Sequence, residues 1–170
     1  IMFASKIWGL RATDIMQGVV YGTRTDAMGS DPAMRTRLDF DQSFGTAINR
    51  FVCSAVVGEN ITLYGNGHQK RGFLPLRDSM QCLALAIENP ADEGEYRVFN
   101  QFEEVYSVTE LANKVSKVGK DAGLDVNIAN YQNPRIEAQD HHYSPEHQNL
   151  LDLGYEPTTD MDAEIATMFE

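Results

Sequence analysis

Apolar residues recur at helical spacing in some stretches of the chain and alternate with polar residues in others. The helical pattern predicts helices at 1–7, 41–57, 78–88, 107–123, 144–154 and 161–170. The alternating and short apolar runs predict strands within 8–20 and at 61–64, 73–76, 96–99 and 126–129. Helices and strands that take turns along one chain indicate an α/β fold.

Local signals predict where several of these helices begin. Ser107 with Glu110, and Asp78 with Gln81, have the spacing of a capping box, in which two side chains satisfy the first backbone groups of a helix. A serine followed by proline at 144–145 is a further helix start. Helical spacing predicts two buried stripes: Phe44, Ile48, Phe51, Val52, Ala55 and Val56; and Met80, Leu83, Leu85, Ala86 and Ile87.

Composition then restricts the classes of function. The 170 residues suffice for one domain with a real core, and 42% of them are hydrophobic. The net charge of −11 argues against nucleic acid as a partner, because phosphates need clustered cations. No apolar run reaches the ~20 residues that span a bilayer. Cys53 and Cys82 lie among apolar neighbours, which predicts buried free thiols in a reducing compartment.

The stretch 61–78 has the strongest functional pattern in the chain. A short strand is followed by Gly65 and Gly67, where positive φ and close approach of a ligand cost little. The fixed cation Arg71 and a second apolar run come next. This order suits a polar, anionic ligand that lies across the loop. A surface hairpin with a solvated arginine is an equal alternative on local pattern alone.

Other polar residues fall where ligands gather in α/β proteins. Gln17 follows a predicted strand, and Thr46 and Asn49 lie near the start of a predicted helix, although both are also ordinary first-turn residues. The loop 22–39 carries Arg35 and Arg37, which are more often solvated than ligand-binding. The histidines at 141–142, with Glu137, Asp140 and His147, lack the spacing of a zinc site, so we expect no metal.

The stretch LYGNGHQKRGFLPLRD resembles the YGxGxQxRxxxxVxD segment of the extended short-chain dehydrogenase/reductases that act on nucleotide sugars. The segments WGLRATDIMQGVVYG, RLDFDQSFGTAINRF, RVFNQF and NPRIEAQDHHY resemble one branch of that family. That branch uses bound NAD and sulfite to convert UDP-glucose to UDP-sulfoquinovose, the head-group donor for sulfolipid. Two alternatives are another NAD-dependent nucleotide-sugar epimerase or dehydratase, and a UDP-binding module without chemistry.

The resemblance implies roles for individual residues. Val20 would lie by the nicotinamide ring of NAD, and Val19 and Val20 also fit a plain core. The strand before Gly65 would read the nucleotide base, and two arginines would share one diphosphate. The substrate-binding residues implied in this way are Gln17, Thr46, Asn49, Thr62, Leu63, Tyr64, Gln69, Arg71 and Arg135. No catalytic residue is implied, because no tyrosine is followed four positions later by lysine.

The resemblance also implies the organisation of the protein. The chain would be the C-terminal part of an extended short-chain dehydrogenase fold: the last strands and helices of the Rossmann-type sheet and the small α/β substrate-binding lobe. Residues 1–170 would form a single fragment without the N-terminal NAD-binding half. We expect such a fragment to be catalytically silent and to expose an apolar edge or face. The full-length enzyme would be a homodimer in the bacterial cytoplasm or plastid stroma.

Overall fold

The computed structural model describes residues 1–29, 31–34, 37–41, 44–133 and 143–170. The helices are α1 Met2–Trp8, α2 Ala47–Val57, α3 Leu76–Glu88, α4 Val108–Asp121, α5 Gln148–Leu151 and α6 Met161–Met168. The strands are β1 Ala12–Gln17, β2 Val19–Tyr21, β3 Ile61–Tyr64, β4 Lys70–Pro75, β5 Tyr96–Gln101, β6 Glu104–Ser107 and β7 Ile128–Tyr131. The predicted α/β class is confirmed.

The strands of the described segments form three small sheets. Parallel pairs join β1 to β5 and β3 to β7, and β4 lies between parallel β2 and antiparallel β6. Gly18 joins β1 to β2, and its N–H donates to the carbonyl of Gln101 at the end of β5 (2.8 Å). The carboxyl ends of β1 and β5 therefore meet where β2 begins.

The main core lies between α2, α4, α6 and the strands that these helices cover. Ile48, Phe51 and Val52 on α2 pack with Leu111 and Val115 on α4. All five side chains are buried, and full burial of such a side chain stabilises the fold by roughly 1.5–3 kcal/mol. This core supports β3, the strand that leads into the glycine loop.

Helix α4 begins at the predicted capping box. The Ser107 hydroxyl accepts from the Glu110 N–H (3.2 Å), and the Glu110 carboxylate accepts from the Ser107 N–H (2.7 Å). These bonds hold the pKa of Glu110 below its usual range. The capping-box prediction is confirmed here.

The second predicted capping box does not form. Helix α3 begins at Leu76 with Pro75 as its N-cap residue, and no side chain caps it. Asp78 lies inside the first turn, fully buried, and its carboxylate accepts from the backbone and hydroxyl of Thr158. Gln81 instead exchanges two hydrogen bonds with the backbone of Glu156. The prediction was wrong because a distant segment supplies partners for both side chains.

Other boundaries also differ from the sequence pattern. Helix α2 begins at residue 47 rather than 41, since Thr46 is its N-cap and accepts from the Asn49 N–H (3.4 Å). The predicted helix 144–154 is only the single turn α5, and β7 lies two residues later than predicted. Strand β6 was not predicted at all. Four residues of the predicted buried stripes are exposed: Phe44, Val56, Met80 and Ile87.

The two cysteines are free thiols, as predicted. Cys82 is buried and Cys53 half-buried, and burial raises the pKa of both, that of Cys82 to about 12. Both thiols are therefore less ionised at neutral pH than an exposed cysteine, which lowers their reactivity. In the part of the chain that the structure describes, no helix has the length and apolar character needed to cross a bilayer.

One end of the molecule exposes an apolar surface. Phe3, Ile7 and Trp8 on α1 are 76%, 58% and 72% exposed, and Met16 on β1 is also exposed. Strand β1 pairs with β5, and no second partner strand occurs among the described residues. An exposed apolar surface beside an unpaired strand edge is unusual in a closed domain.

Candidate functional site

The glycine loop after β3 is clamped onto the first turn of α4. Gly65 and Gly67 have φ of 68° and 66°, values that favour glycine. The Gly67 carbonyl accepts from the Thr109 N–H (3.1 Å), and a side chain at Gly67 would collide with the Thr109 hydroxyl. The Gly65 N–H donates to the carbonyl of Tyr131 (2.9 Å). The loop is thus fixed at both glycines and needs no ligand to hold its shape.

Two tyrosines lie at the carboxyl ends of the parallel strands β3 and β7. Tyr64 and Tyr131 are partners in the strand register, and their ring centroids are 6.3 Å apart. Each is about half exposed, so the pair offers flat apolar surface beside the glycine loop. Tyr131 was missed by sequence reasoning, because only strand pairing brings it next to Tyr64.

The other predicted residues next to the glycine loop have surroundings that differ from those of Tyr64. Leu63 is only 4% exposed and packs in the main core, so its side chain cannot contact a ligand. Thr62 is partly buried, and its hydroxyl donates to the Asn60 carbonyl (3.5 Å). Gln69 follows the loop, and its backbone carbonyl accepts from the Val108 N–H (3.2 Å).

Arg71 is an exposed cation on β4, directly after the glycine loop. Its guanidinium donates to the carbonyl of Lys70 (2.7 Å). Among the residues that the structure describes, no carboxylate lies within ion-pair distance of Arg71. The side chain therefore keeps donors for a ligand, in an arrangement that suits an anion.

Gln17 and Val20 lie on β1 and β2, the two strands on either side of Gly18. Gln17 ends β1, as predicted, and its side-chain amide donates to the Ser79 hydroxyl on α3 (3.0 Å). Val20 is half-buried in β2, opposite Leu74 of β4. This partial burial is compatible with both interpretations of Val20, as a core residue and as a residue that contacts the cofactor.

Of the two polar atoms of the Asn49 amide, only one has a hydrogen-bond partner among the described residues. Its nitrogen donates to the Asp39 carbonyl (3.0 Å), while its side-chain oxygen is buried and has no partner in the described segments. A buried acceptor without a donor is costly. Thr46 is engaged as the N-cap of the same helix.

Several predicted residues lie outside the described segments: Arg135, Arg35, His141, His142, Glu137 and Asp140. Arg37 is described and pairs with Asp39 (2.6 Å). A β-carbon placed on Gly65 would lie 3.3 Å from that of Asn133. Over the described residues, no group of His, Cys, Asp and Glu could hold a metal ion.

A second, closed polar cluster lies where α3 meets α6. The carboxylate of Glu164 is fully buried and lies 3.2 Å from the Arg77 guanidinium. Burial raises the pKa of Glu164, although Arg77 opposes the rise. A cavity of about 400 Å³ beside it is lined by Arg24 and Arg77, which already pair with Glu170 and with Asp26 and Glu164. Sequence reasoning missed this pair, since nothing local marks Glu164 as buried.

Comparison with known proteins identifies the family. Residues 9–100 match the NAD dependent epimerase/dehydratase family, which is more than half of the chain. The chain belongs to the NAD dependent epimerase/dehydratase family. The predicted resemblance is confirmed at this level.

Two curated relatives are similar over nearly the whole chain. The UDP-sulfoquinovose synthase of Sulfolobus acidocaldarius is 46% identical over 170 residues, all of this chain and 43% of that protein. The chloroplastic UDP-sulfoquinovose synthase of Spinacia oleracea is 50% identical over 157 residues, 92% of this chain and 33% of that protein. The chain thus spans less than half the length of these relatives.

Solved structures agree on the fold. A UDP-N-acetylglucosamine 4-epimerase from Methanobrevibacter ruminantium has a TM-score of 0.75 at 17% identity, over 98% of this chain and 47% of its own. A UDP-glucose 4-epimerase from Thermotoga maritima has a TM-score of 0.72 at 18% identity, over 98% of this chain and 47% of its own. The extended short-chain dehydrogenase fold predicted from sequence is confirmed.

The described residues do not form a dinucleotide turn. The one Gly-x-Gly of the sequence, Gly65 to Gly67, leads into strand β4. A pyrophosphate-binding turn needs a helix at that place, because the ligand lies on the helix N-terminus. The loop therefore does not fit NAD, and no chemical step through NAD follows from these residues.

Proposed function

We propose that this chain is the UDP-sugar-binding portion of an NAD-dependent UDP-sulfoquinovose synthase, which converts UDP-glucose and sulfite to UDP-sulfoquinovose. The observation that carries the proposal is the 46% and 50% identity to two proteins of that name. The site supports it with a rigid glycine loop, an aromatic surface and, directly after the loop, an arginine that pairs with no carboxylate of the described residues.

The nucleotide base is proposed to bind beside Tyr64 and the backbone of Thr62 and Leu63. The half-exposed rings of Tyr64 and Tyr131 offer flat surface on which a uracil ring can pack. Because the Leu63 side chain is in the core, its contribution is limited to backbone groups, which is how an extended strand reads a base edge.

The diphosphate is proposed to bind Arg71 together with Arg135. Arg71 is exposed and free of any described carboxylate, so its charge is not already neutralised. Asn133, two positions before Arg135, lies against Gly65 at the start of the loop that leads to Arg71. A diphosphate carries about two charges, and a single guanidinium does not satisfy all its oxygens.

The sugar is proposed to lie toward Gln17, Thr46 and Asn49, with Gln69 beside the loop. The unpartnered oxygen of Asn49 supports this assignment, because a sugar hydroxyl can donate to it. Gln17 can exchange its bond to Ser79 for a ligand hydroxyl at the carboxyl end of β1. Val20 is proposed to face the nicotinamide of NAD.

Residues 1–170 are proposed to work as one unit against an NAD-binding portion of a longer protein. The exposed apolar side chains of α1 and the unpaired edge of β1 support this, since a neighbouring strand and helices would cover them. NAD, sulfite and a second copy of the protein are proposed partners of that longer assembly.

The decisive test is turnover by the full-length protein. Purified protein supplied with UDP-glucose, NAD and sulfite should form UDP-sulfoquinovose, detected by mass spectrometry of the nucleotide sugars. Conversion of UDP-glucose to another UDP-hexose without sulfite would favour an epimerase, and UDP binding without any turnover would favour a binding module.

The 170-residue chain alone provides the matched control. It should bind UDP but turn nothing over, because its sequence has no tyrosine followed four residues later by lysine to serve as the general base. Sulfite-dependent turnover by this chain alone would contradict the assignment.

A further inference from the structure

A tyrosine outside the predicted site holds the backbone next to Arg71. The hydroxyl of Tyr143 accepts a hydrogen bond from the N–H of Gly72 at 2.9 Å. Tyr143 is 71 positions away in sequence and lies in none of the helices or strands. The bond spans a large sequence separation to reach one peptide group of β4.

Glycine at position 72 makes this contact geometrically feasible. A β-carbon there would lie 2.9 Å from the Tyr143 hydroxyl and 2.8 Å from the β-carbon of Phe102, both too close. The missing side chain thus leaves the space that the phenol occupies. Strand β2 pairs with β4 only from Val19 and Phe73 onward, so the Gly72 N–H lies just beyond that ladder.

The peptide group held in this way belongs to Arg71. Its carbonyl is that of Arg71 and its N–H that of Gly72, and the two lie in one plane. The next carbonyl, that of Gly72, lies close to Gly18, since a β-carbon on Gly18 would lie 2.6 Å from it. The hydrogen bond to Tyr143 restrains the peptide group that directly follows the α-carbon from which the Arg71 side chain projects.

We propose that Tyr143 is a positioning residue for Arg71: by holding the Arg71–Gly72 peptide, it aims the Arg71 guanidinium at the anionic ligand. The inference rests on the proposed diphosphate role of Arg71. It adds that the segment after residue 142 contributes to affinity through Arg71 rather than by contact with the ligand. Small displacements of a binding group lower affinity strongly, so such a support matters.

The test is a double-mutant cycle in the full-length protein, with UDP titrated by calorimetry. Tyr143→Phe removes only the hydroxyl and should weaken UDP binding about 2- to 10-fold, as expected for one hydrogen bond. In the Arg71→Ala background the same change should alter the Kd less than about 2-fold, because the group that it positions is gone. The melting temperature of each variant is measured alongside.

Tyr96→Phe is the matched control. The Tyr96 hydroxyl donates to Asp14 (2.7 Å) between β5 and β1, so its loss also removes one side-chain bond. It should leave the Kd for UDP unchanged in both backgrounds.

Three outcomes would overturn the inference. An unchanged Kd in Tyr143→Phe would show that the hydroxyl does not position Arg71. Equal weakening in both backgrounds would assign Tyr143 a general structural role. If Arg71→Ala binds UDP normally while folded, the diphosphate assignment itself fails, which is a separate result from the first two.

Discussion

Arg71 and Arg77 lie six positions apart, yet the structure gives them opposite surroundings. Arg71 is exposed near the start of β4 and pairs with no carboxylate of the described segments. Arg77 is one-quarter exposed in the first turn of α3, between Asp26 (3.7 Å) and the buried Glu164 (3.2 Å). One cation is open to solvent, and the other is neutralised inside the chain.

The difference separates a cation that holds the fold from one that can hold a ligand. A buried carboxylate without its partner is expensive, so Arg77 is needed wherever Glu164 is ionised. An exposed arginine adds little to stability, so Arg71 is not needed to hold the fold and is available for the proposed ligand. What separates the two arginines is the presence or absence of a described carboxylate partner, and not their exposure alone.

The largest effect is expected from Arg77→Ala. It leaves Glu164 buried without its cation and should lower the free energy of unfolding by about 3 kcal/mol. Urea denaturation measures the loss, and UDP affinity of the folded variant should not change. Lys117→Ala, which removes an exposed partner of Asp162, should lower the free energy of unfolding far less. An equal loss of unfolding free energy in the two variants would show that Arg77 does not stabilise the fold more than an exposed ion-pair partner does.

Arg71→Ala should act on binding and leave stability alone. Loss of a charge-assisted contact worth about 1.5–3 kcal/mol should weaken UDP binding roughly 10- to 150-fold. Calorimetric titration of the full-length protein measures the Kd. Arg11→Ala, an exposed arginine before the amino end of β1, is the control and should bind as wild type. A normal Kd in Arg71→Ala would remove Arg71 from the site.

Arg71→Lys sharpens the comparison by separating charge from shape. A guanidinium binds two phosphate oxygens at once, whereas an ammonium is a point charge. The lysine variant should therefore recover less than about a third of the affinity lost in the alanine variant. Full recovery in the same titration would mean that any cation suffices at this position.

The smallest effect concerns pH and two acids of α6. Burial raises the pKa of Glu164, so its unfolded form ionises first and stability falls as pH rises from about 4.5. Lys114 and Lys117 lower the pKa of Asp162, so its stabilisation is present above about pH 4 and is lost on acidification.

Unfolding of Glu164→Gln and Asp162→Asn, measured from about pH 2 to 8, should show these opposite trends. Relative to wild type, Glu164→Gln should gain stability as pH rises above about 4.5, whereas Asp162→Asn should lose stability as pH rises to about 4 and run parallel to wild type above it. Parallel curves for the two variants would show that Glu164 is not desolvated.

Two capping boxes of the same spacing show how far local signals reach. Ser107 and Glu110 form the predicted box, because both partners lie within one turn and no other segment that the structure describes competes for them. Asp78 and Gln81 do not, because residues 156–158 offer them backbone and hydroxyl groups from the other end of the chain. A local motif predicts structure only where no tertiary partner is better.

The residues of the candidate site also fall into two groups, those that local sequence indicates and those that only tertiary contacts reveal. Sequence alone pointed to Tyr64, the glycines and Arg71, since these follow one another and their chemistry is local. It did not find Tyr131 or Tyr143, which reach the loop only through strand pairing and a single long-range bond. It named Leu63 as a ligand-binding residue but did not show that its side chain is buried in the core, which leaves only its backbone groups for a ligand.

The sequence by itself determined the α/β class, the family, the glycine loop and the capped helix α4, because each depends on residues close in the chain. The tertiary structure alone decided which acid is buried, which arginine is neutralised and which distant tyrosine bonds to the backbone beside Arg71. Those properties depend on burial and on partners dozens of residues away, and a side chain's charge state follows the partners that the fold brings to it.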